Sequence, residues 1–282
     1  MRQVMFRGMR LNDLDHWVTT ELSLWGHAAP VYETGKRVQM DGSWHTTPFH
    51  EALSGGLSGV YVGTSPDDAQ RALRELRRAM LPSEAWLSVE TATGWQSIRV
   101  FRSGKLDVRW QNEAKIFEWS TQVTADDPSW FRGGQNDQGE LDGSGIQTFE
   151  LGMYRISGGL KFPFRFPFKF PTYASGGEVS FKVESSARLI LDIRGPVKSP
   201  ELLFTGLGRS YLLKWQGTYL SSGEVLSVEP ARKSSVINGS APRVPAIRQW
   251  PASLGPGYWS IKYTGEEYNS SSQVLVRVLE VI

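Results

Sequence analysis

The sequence predicts a mainly β protein with one helix, and three observations lead to that expectation. The chain of 282 residues is rich in aromatic side chains, with 11 Trp, 13 Phe and 9 Tyr. Its 29 Gly and 15 Pro place turns along the whole length. Between those turns, short apolar groups alternate with polar residues, which is the period of half-buried strands.

The first 64 residues read as strands and hairpins, because short apolar groups are separated by turn sequences such as "ETG" and "MDGSW". The stretch "GGLSGVYVG", residues 55–63, is rich in glycine. No helix is expected to begin directly after it in the register of a phosphate-binding loop. A glycine-rich hairpin bend is therefore the expected structure.

One helix is predicted at residues 66–80, within "SPDDAQRALRELRRAM". Ser65 is expected at the N-cap and Pro66 at the first helical position, and two Asp residues follow in the first turn. Helical spacing places five residues on one apolar face, namely Ala69, Ala72, Leu73, Leu76 and Ala79. Four arginines, Arg71, Arg74, Arg77 and Arg78, cover the rest, as a solvated surface or an interface.

The middle of the chain has three segments with different sequence patterns. Residues 85–124 alternate as three or four strands, whereas residues 132–146, "RGGQNDQGELDGSGI", have no apolar period and indicate a loop or a boundary. In "FPFRFPFKFP", residues 162–171, every second residue is Phe, which predicts an extended segment with one buried aromatic face. That face would pack on this chain's own core or on a neighbouring subunit.

The second half has turns at roughly the 8–12-residue spacing of a sandwich or jelly roll. The charge also changes between the halves. Residues 1–150 carry 15 Lys and Arg against 20 Asp and Glu, a net −5, and residues 151–282 carry 16 against 9, a net +7. We therefore expect two domains, 1–150 and 151–282, in different surroundings. The cations are dispersed singly, which argues against nucleic-acid binding.

No reaction centre is evident in the sequence. The absence of Cys excludes disulfides, Cys-ligated zinc and thiol nucleophiles. The histidines, His16, His27, His45 and His50, lack the spacing of a zinc motif, so neither a metal site nor a cofactor is expected. The acidic pairs at 126–127 and 266–267 both fit turns. No catalytic residue is therefore assigned, and no membrane span is expected.

Several aromatic side chains of the second half could stack on a sugar or contact a partner. The candidates are Trp215, Tyr219, Trp250, Tyr258 and Trp259. Most aromatic residues of β-sandwiches belong to the core, and that alternative stays open for each of them.

Several short motifs together resemble the distal tail proteins (Dit) of long-tailed, siphovirus-type bacteriophages. The resemblance is carried by "IRGPVKSPELLF", "LSSGEVLSVEP", "VINGS" and "WPASLGPGYWSIKY" in the second half. The Phe run is similar to the segment that opens the second domain of that family. In the first half, "DGSW", the helix and "ADDPSW" stand in the family's order. Trp259 departs from it, because Asn is common there.

The resemblance implies an N-terminal β-sandwich ring domain with one helix and a C-terminal, galectin-like jelly-roll β-sandwich. It implies a homohexameric ring in the tail tip, made in the host cytoplasm, with no catalytic activity. The implied partners are the tail tube protein, the end of the tape-measure protein and the tail-associated hub protein. DNA would pass through the central channel without being bound, and an acidic first half would line that channel without adhering to phosphate.

Three other functions fit parts of the sequence. The second domain could act as a lectin that contacts host cell-wall glycan. The chain could instead be a tail-tube or other ring protein, although its complete second domain argues against that. A glycan-cleaving enzyme would need two carboxylates about 5–10 Å apart, and the sequence offers no local pair outside turns.

Overall fold

A computed structural model describes residues 3–13, 15–24, 30–31, 34–36, 43–45, 49–142, 145–152 and 177–282. The chain divides into two compact units, residues 1–144 and 145–282. His27 and the Phe run at residues 162–171 lie outside the described residues, so the predictions made for that run stay predictions. Within the described part of the chain, no helix is long and apolar enough to cross a bilayer.

The first unit contains fifteen described strands, all paired antiparallel. One sheet has the order β2-β1-β9-β10-β13 and another pairs β3, β8, β12 and β11, with a short β10–β12 pairing between them. Three small ladders join β4 to β7, β5 to β6 and β14 to β15. The strands are β1 (Val4–Phe6), β2 (Met9–Arg10), β3 (Trp17–Leu22), β4 (Pro30–Val31), β5 (Thr34–Lys36), β6 (Ser43–His45), β7 (Phe49–His50), β8 (Leu53–Val62), β9 (Ala85–Thr91), β10 (Gly94–Arg102), β11 (Asp107–Gln111), β12 (Ile116–Ala125), β13 (Phe131–Arg132), β14 (Gly134–Gln135) and β15 (Leu141–Asp142).

Helix α1, Pro66–Ala79, forms as the sequence predicts and covers the core of this unit. The Ser65 hydroxyl accepts a hydrogen bond from the backbone N–H of Asp68 at 3.2 Å. All five residues of the predicted apolar face are buried in one cluster with residues of β8, β9, β10 and β12. The four arginines are exposed.

Strand β8 corrects the expectation of a hairpin bend, because "GGLSGVYVG" lies almost entirely within this ten-residue strand. The glycines are needed where neighbouring chain comes close. A Cβ on Gly59 would lie 2.6 Å from the carbonyl oxygen of Val18 and 2.9 Å from the Trp119 ring. A Cβ on Gly55 would lie 2.9 Å from the backbone of Ser23. The glycines therefore allow β3 and β12 to pack against β8.

Residues 132–146, expected to be a loop or boundary, contain the β14–β15 hairpin, which covers β9 and β10. The buried Gln135 side chain fixes it in place. Its amide donates to the Met5 carbonyl at 2.8 Å and to the Ser88 hydroxyl at 3.0 Å. Leu87 and Val89 face the core, so β9 is buried on both faces. The hairpin thus lies on the side of this sheet away from α1.

The second unit is a sandwich of two antiparallel sheets. One has the order β16-β27-β18-β22-β23-β24, and the other has the order β17-β26-β19-β20-β25, with β21 paired to β19. The strands are β16 (Ile146–Gly152), β17 (Glu178–Val183), β18 (Ser186–Arg194), β19 (Val197–Gly206), β20 (Arg209–Lys214), β21 (Tyr219–Leu220), β22 (Val225–Glu229), β23 (Ser234–Ile237), β24 (Ala241–Pro242), β25 (Ile247–Arg248), β26 (Gly257–Glu266) and β27 (Gln273–Val281). A 3-10 turn at Pro230–Arg232 is a helical segment that the sequence pattern did not indicate.

The turns of this unit follow their residue types. Asn238 and Gly239 both have positive φ, 49° and 72°, and form the tight turn between β23 and β24 that the Asn-Gly sequence predicts. Trp259, the departure from the family pattern, still makes a side-chain bond to its turn. Its indole N–H donates to the Gly255 carbonyl at 2.8 Å.

Candidate interaction surfaces

An open groove of about 460 Å³ separates helix α1 from the β11–β12 hairpin. We call it the arginine groove. Trp110 is 41% exposed there and packs edge-on against the Phe117 ring, with centroids 5.3 Å apart. An exposed indole held by a core ring is a rigid apolar contact surface. The groove is lined by Gln70, Leu73, Arg74, Arg77, Trp110 and Ala114.

Only two of the four arginines of helix α1 have a carboxylate close to them on the helix. By helical spacing, Glu75 lies next to Arg71 and Arg78, four residues before and three after along the helix. Arg74 and Arg77 have no carboxylate at such a spacing, and neither forms an ion pair with any residue that the structure describes. The two guanidinium groups at the groove therefore stand exposed without a charge partner in the described part of this chain.

The hairpin end beside the groove is backbone-strained. Asn112, Glu113 and Ala114 have φ values of 47°, 53° and 62°, three consecutive residues in the left-handed region. Such a conformation costs about 1–2 kcal/mol for residues such as Glu113 and Ala114, and less for Asn112, because Asn tolerates the left-handed region. Strain of this kind persists where the surrounding structure fixes it, and it is concentrated at binding sites.

The start of α1 is tied to the sheet by the Asp68 carboxylate. It accepts hydrogen bonds from the Tyr61 hydroxyl at 3.0 Å and from the Thr64 backbone N–H at 3.1 Å. The bond from Thr64, followed by that from Tyr61, lowers the pKa of Asp68. Burial, together with the nearby carboxylate, raises the pKa of Tyr61 to about 12. This anchor fixes the first turn of the helix against β8.

The turn between β14 and β15, residues 136–140, presents carboxylates on the other side of the unit, and we call it the acidic turn. The Asn136 side chain accepts bonds from the backbone N–H groups of Gln138 and Glu140, both at 3.0 Å. Asp137 and Glu140 are exposed, and neither is in an ion pair with a described residue. The acidic turn is thus rigid and has free negative charge.

His16 is one of the four histidines that lack the spacing of a zinc motif. Its Nδ1 lies 2.9 Å from the Val62 carbonyl oxygen, and this bond, ahead of nearby carboxylates, raises the pKa of His16. Asp13 accepts bonds from three backbone N–H groups at 2.8–3.0 Å. Although burial opposes them, these bonds lower its pKa. Among the described residues, no group of three potential ligands could hold a metal ion.

The outer face of the second unit's β17-β26-β19-β20 sheet carries a continuous row of hydroxyls. Ser180, Ser260, Thr205 and Ser210 are successive cross-strand partners on these four strands. Tyr258 lies two residues before Ser260 on β26, and so on the same face, and is 74% exposed. A flat ring beside hydroxyl groups is suited to contact with polar, ring-shaped ligands.

The five aromatic candidates occupy different environments. Trp215 and Trp259 are 1% and 3% exposed, so they are core residues of this unit and present no ring to a ligand. Trp250 is half-buried against the same core. Tyr219 is 53% exposed on β21, and Tyr258 projects from the hydroxyl face. The structure does not bring the five together into one site.

Comparisons with known proteins give matches of structure alone. No family model matches the sequence, and no curated protein sequence matches it. A chain of the phage p2 baseplate in its activated conformation with strontium matches at TM-score 0.51 and 9% identity, covering 99% of this chain and 98% of that one. The SPP1 Dit (gp 19.1) protein, described as a paradigm of hub adsorption apparatus, matches at TM-score 0.49 and 11% identity, over 100% and 99%.

The baseplate match extends over both units, so this chain has the same overall fold as that baseplate chain. The mainly β fold with one helix is confirmed, as is a likeness in fold to a phage baseplate protein, in line with the resemblance that the sequence motifs carry.

Proposed function

We propose that this chain is a structural, non-catalytic hub protein of a phage tail tip or baseplate, located in the virion. The observation that carries the proposal is the match to a baseplate chain over 99% of the length. A chain that shared only one unit would be an ordinary β-sandwich, a fold that supports many functions. The sequence motifs of the distal tail proteins supply independent support from both halves.

The hub function has a definite geometry in this proposal. The first unit, predicted from the sequence as domain 1–150, forms a homohexameric ring, and the galectin-like second domain points outward. The ring joins the tail tube and the end of the tape measure to the tail-associated hub protein. The net charge of −5 over residues 1–150 suits a channel wall, because like charge keeps phosphate from adhering to it.

The test is imaging of the purified full-length chain, with its mass measured in solution. We expect a six-fold ring with a central hole and a mass of six times 31.6 kDa. The channel proposal further expects that the ring does not retain double-stranded DNA at physiological salt. A chain that stays monomeric at every concentration, or a compact assembly with no hole, would contradict the hub proposal.

A second candidate function is binding of host cell-wall glycan by the second unit. The observation in its favour is the row of four hydroxyls beside the exposed Tyr258 ring. Ser180, Thr205 and Ser210 are exposed, so their hydroxyls are accessible to a ligand.

Titration of the purified protein with soluble cell-wall polysaccharides tests the glycan function. Tyr258→Ala should abolish binding, because aromatic stacking contributes much of the contact with a sugar ring. Tyr219→Ala is the matched control, since it removes an exposed tyrosine that lies on β21, away from the hydroxyl row. Absence of polysaccharide binding by the wild-type protein would eliminate this candidate and leave the hub proposal unaffected.

A further inference from the structure

We propose that the arginine groove of one copy binds the acidic turn of a second copy. The contact would place Arg74 and Arg77 against the carboxylates of Asp137 and Glu140, with the Trp110 ring at its centre. This inference rests on the proposed ring, because it names the two surfaces through which neighbouring copies meet.

The arginine groove has the composition of a protein interface. Arginine and tryptophan are the residues that most often dominate the free energy of binding at protein interfaces. Here Arg74 and Arg77 line the groove together with the indole of Trp110, which is 41% exposed, and with the buried Leu73. Guanidinium groups select planar carboxylates, to which they donate paired hydrogen bonds. The groove therefore suits a chain segment that carries carboxylates.

The backbone of both surfaces is held in place by the fold before they meet. The Asp68 anchor and the β11–β12 hairpin hold the two walls of the groove, and Ala114 of the strained Asn112–Ala114 segment is one of its lining residues. The acidic turn is fixed by the Asn136 side chain and lies against Gly8, where a Cβ would be 2.3 Å from the Asp137 carbonyl oxygen. Because neither backbone segment must order itself, the conformational entropy lost on binding is confined mainly to the side chains.

The arginine groove and the acidic turn lie in different places within the first unit. Helix α1 faces the core of the first unit and packs on β8 and β12, whereas the β14–β15 hairpin covers, through Gln135, the face of β9 and β10 that is turned away from that core. The cationic and acidic surfaces thus cannot pair within one copy. Two different patches on opposite sides produce a head-to-tail contact, and such contacts close into rings when the rotation allows.

Charge also argues against nucleic acid as the occupant. The groove lies on the half of the chain with net charge −5, which repels phosphate at distances beyond direct contact. A carboxylate-bearing protein segment avoids that repulsion better than a polyanion would. The second copy supplies such a segment at a fixed place, and an unrelated acidic partner is left as an outcome of the test.

The decisive experiment compares two double charge reversals on the same helix. Arg74→Glu with Arg77→Glu changes the groove, and Arg71→Glu with Arg78→Glu is the matched control outside it. Both change the net charge equally. We expect the groove variant to assemble at least about tenfold more weakly, as reversal of close interfacial charges does, while the control assembles like wild type. Equal assembly of the groove variant and wild type would overturn the proposal.

Charge reversals in the acidic turn test whether this turn is the segment that binds in the arginine groove. Asp137→Lys with Glu140→Lys should also weaken assembly, and combining these changes with the groove reversal should restore it. A photo-crosslinking residue at Trp110 should join this position to a peptide of a second copy that contains residues 134–142. Failure of rescue together with crosslinks to any other segment or protein would overturn the assignment of the acidic turn.

The same measurements separate this inference from the proposed function. If the wild-type chain forms no ring, the hub proposal fails first. If the wild type forms a ring and the groove variant forms the same ring, the hub proposal stands and the groove inference is wrong. Far-UV circular dichroism and urea unfolding of each variant verify that the reversals leave the fold intact, as expected for exposed positions.

Discussion

The substitution Leu76→Ala tests the packing of helix α1 most directly. The Leu76 side chain is 0% exposed and belongs to the core cluster of the first unit. Leu→Ala changes at such sites cost about 2.7–5.0 kcal/mol, through lost transfer free energy and the cavity left behind. We therefore expect a loss of about 3 kcal/mol or more in the free energy of unfolding of this unit.

That loss corresponds to a measurable shift in thermal and urea unfolding. An unfolding entropy of about 2.1 cal/mol/K per residue gives roughly 0.3 kcal/mol/K for a unit of 144 residues. A loss of about 3 kcal/mol then lowers the melting temperature by roughly 10 °C. With a typical urea dependence of about 1–3 kcal/mol/M, the midpoint falls by roughly 1–3 M.

The matched control is Arg78→Ala on the exposed face of the same helix. Its effect should stay within about 0.5 kcal/mol, because the side chain is exposed and alanine favours the helix. If the two variants melt together, α1 is not packed through Leu76 and the reasoning is wrong. A stronger variant, Leu73→Asp, would bury an unpaired charge and should give insoluble protein.

Three further predictions concern single side chains, each measured by urea unfolding. Gly59→Ala should destabilise by about 1–3 kcal/mol, because its Cβ would lie 2.6 Å from the Val18 carbonyl oxygen. The control Gly255→Ala should be nearly neutral, because its Cβ would meet only the Leu207 side chain, at 3.6 Å. Equal effects of the two substitutions would show that the close approach at Gly59 is absent. Tyr263→Phe should not destabilise, because the buried hydroxyl has no hydrogen-bond partner among the described residues and burial raises its pKa; a loss above about 1 kcal/mol would reveal a partner. Asp13 has a lowered pKa in the folded state, so its stabilising effect is present above about pH 4 and is lost as pH falls through that lowered pKa. The difference in unfolding free energy between wild type and Asp13→Asn should therefore shrink with acidification. A difference that stays constant with pH would contradict this prediction.

The helix could be predicted residue by residue, because its signals are local. The cap at Ser65, the proline that follows and the apolar spacing lie within one stretch of sequence and act independently of the rest of the chain. The Asn238–Gly239 turn is local in the same sense. In both cases the residue types fix the backbone conformation before any tertiary contact forms.

Strand β8 and the β14–β15 hairpin could not be predicted, because distant residues decide their structure. Glycine favours bends in isolation, and only the close approach of Val18 and Trp119 explains why Gly59 lies within a strand. In residues 132–146 the decisive residue is Gln135, whose partners are 47 and 130 residues away in the sequence. A single buried amide leaves no periodic signal.

The candidate surfaces were predictable only in part. The four arginines were visible as one helical face, but the sequence did not show that Trp110 packs beside Arg74 and Arg77, since β11 reaches the helix only through the fold. Among the aromatic candidates, alternation alone could not separate the buried Trp259 from its exposed neighbour Tyr258. The side of the sheet that faces the core decides which of the two is accessible.

The pairing of β27 has a consequence for how the second unit is made. This strand lies between β16 and β18 and pairs residue 146 with residue 279. Since a ribosome adds about 5–20 residues per second, β16 and β18 wait several seconds with unpaired edges until β27 is synthesised. Premature termination before residue 273 would leave those edges permanently open, and such chains should aggregate rather than yield a smaller folded protein.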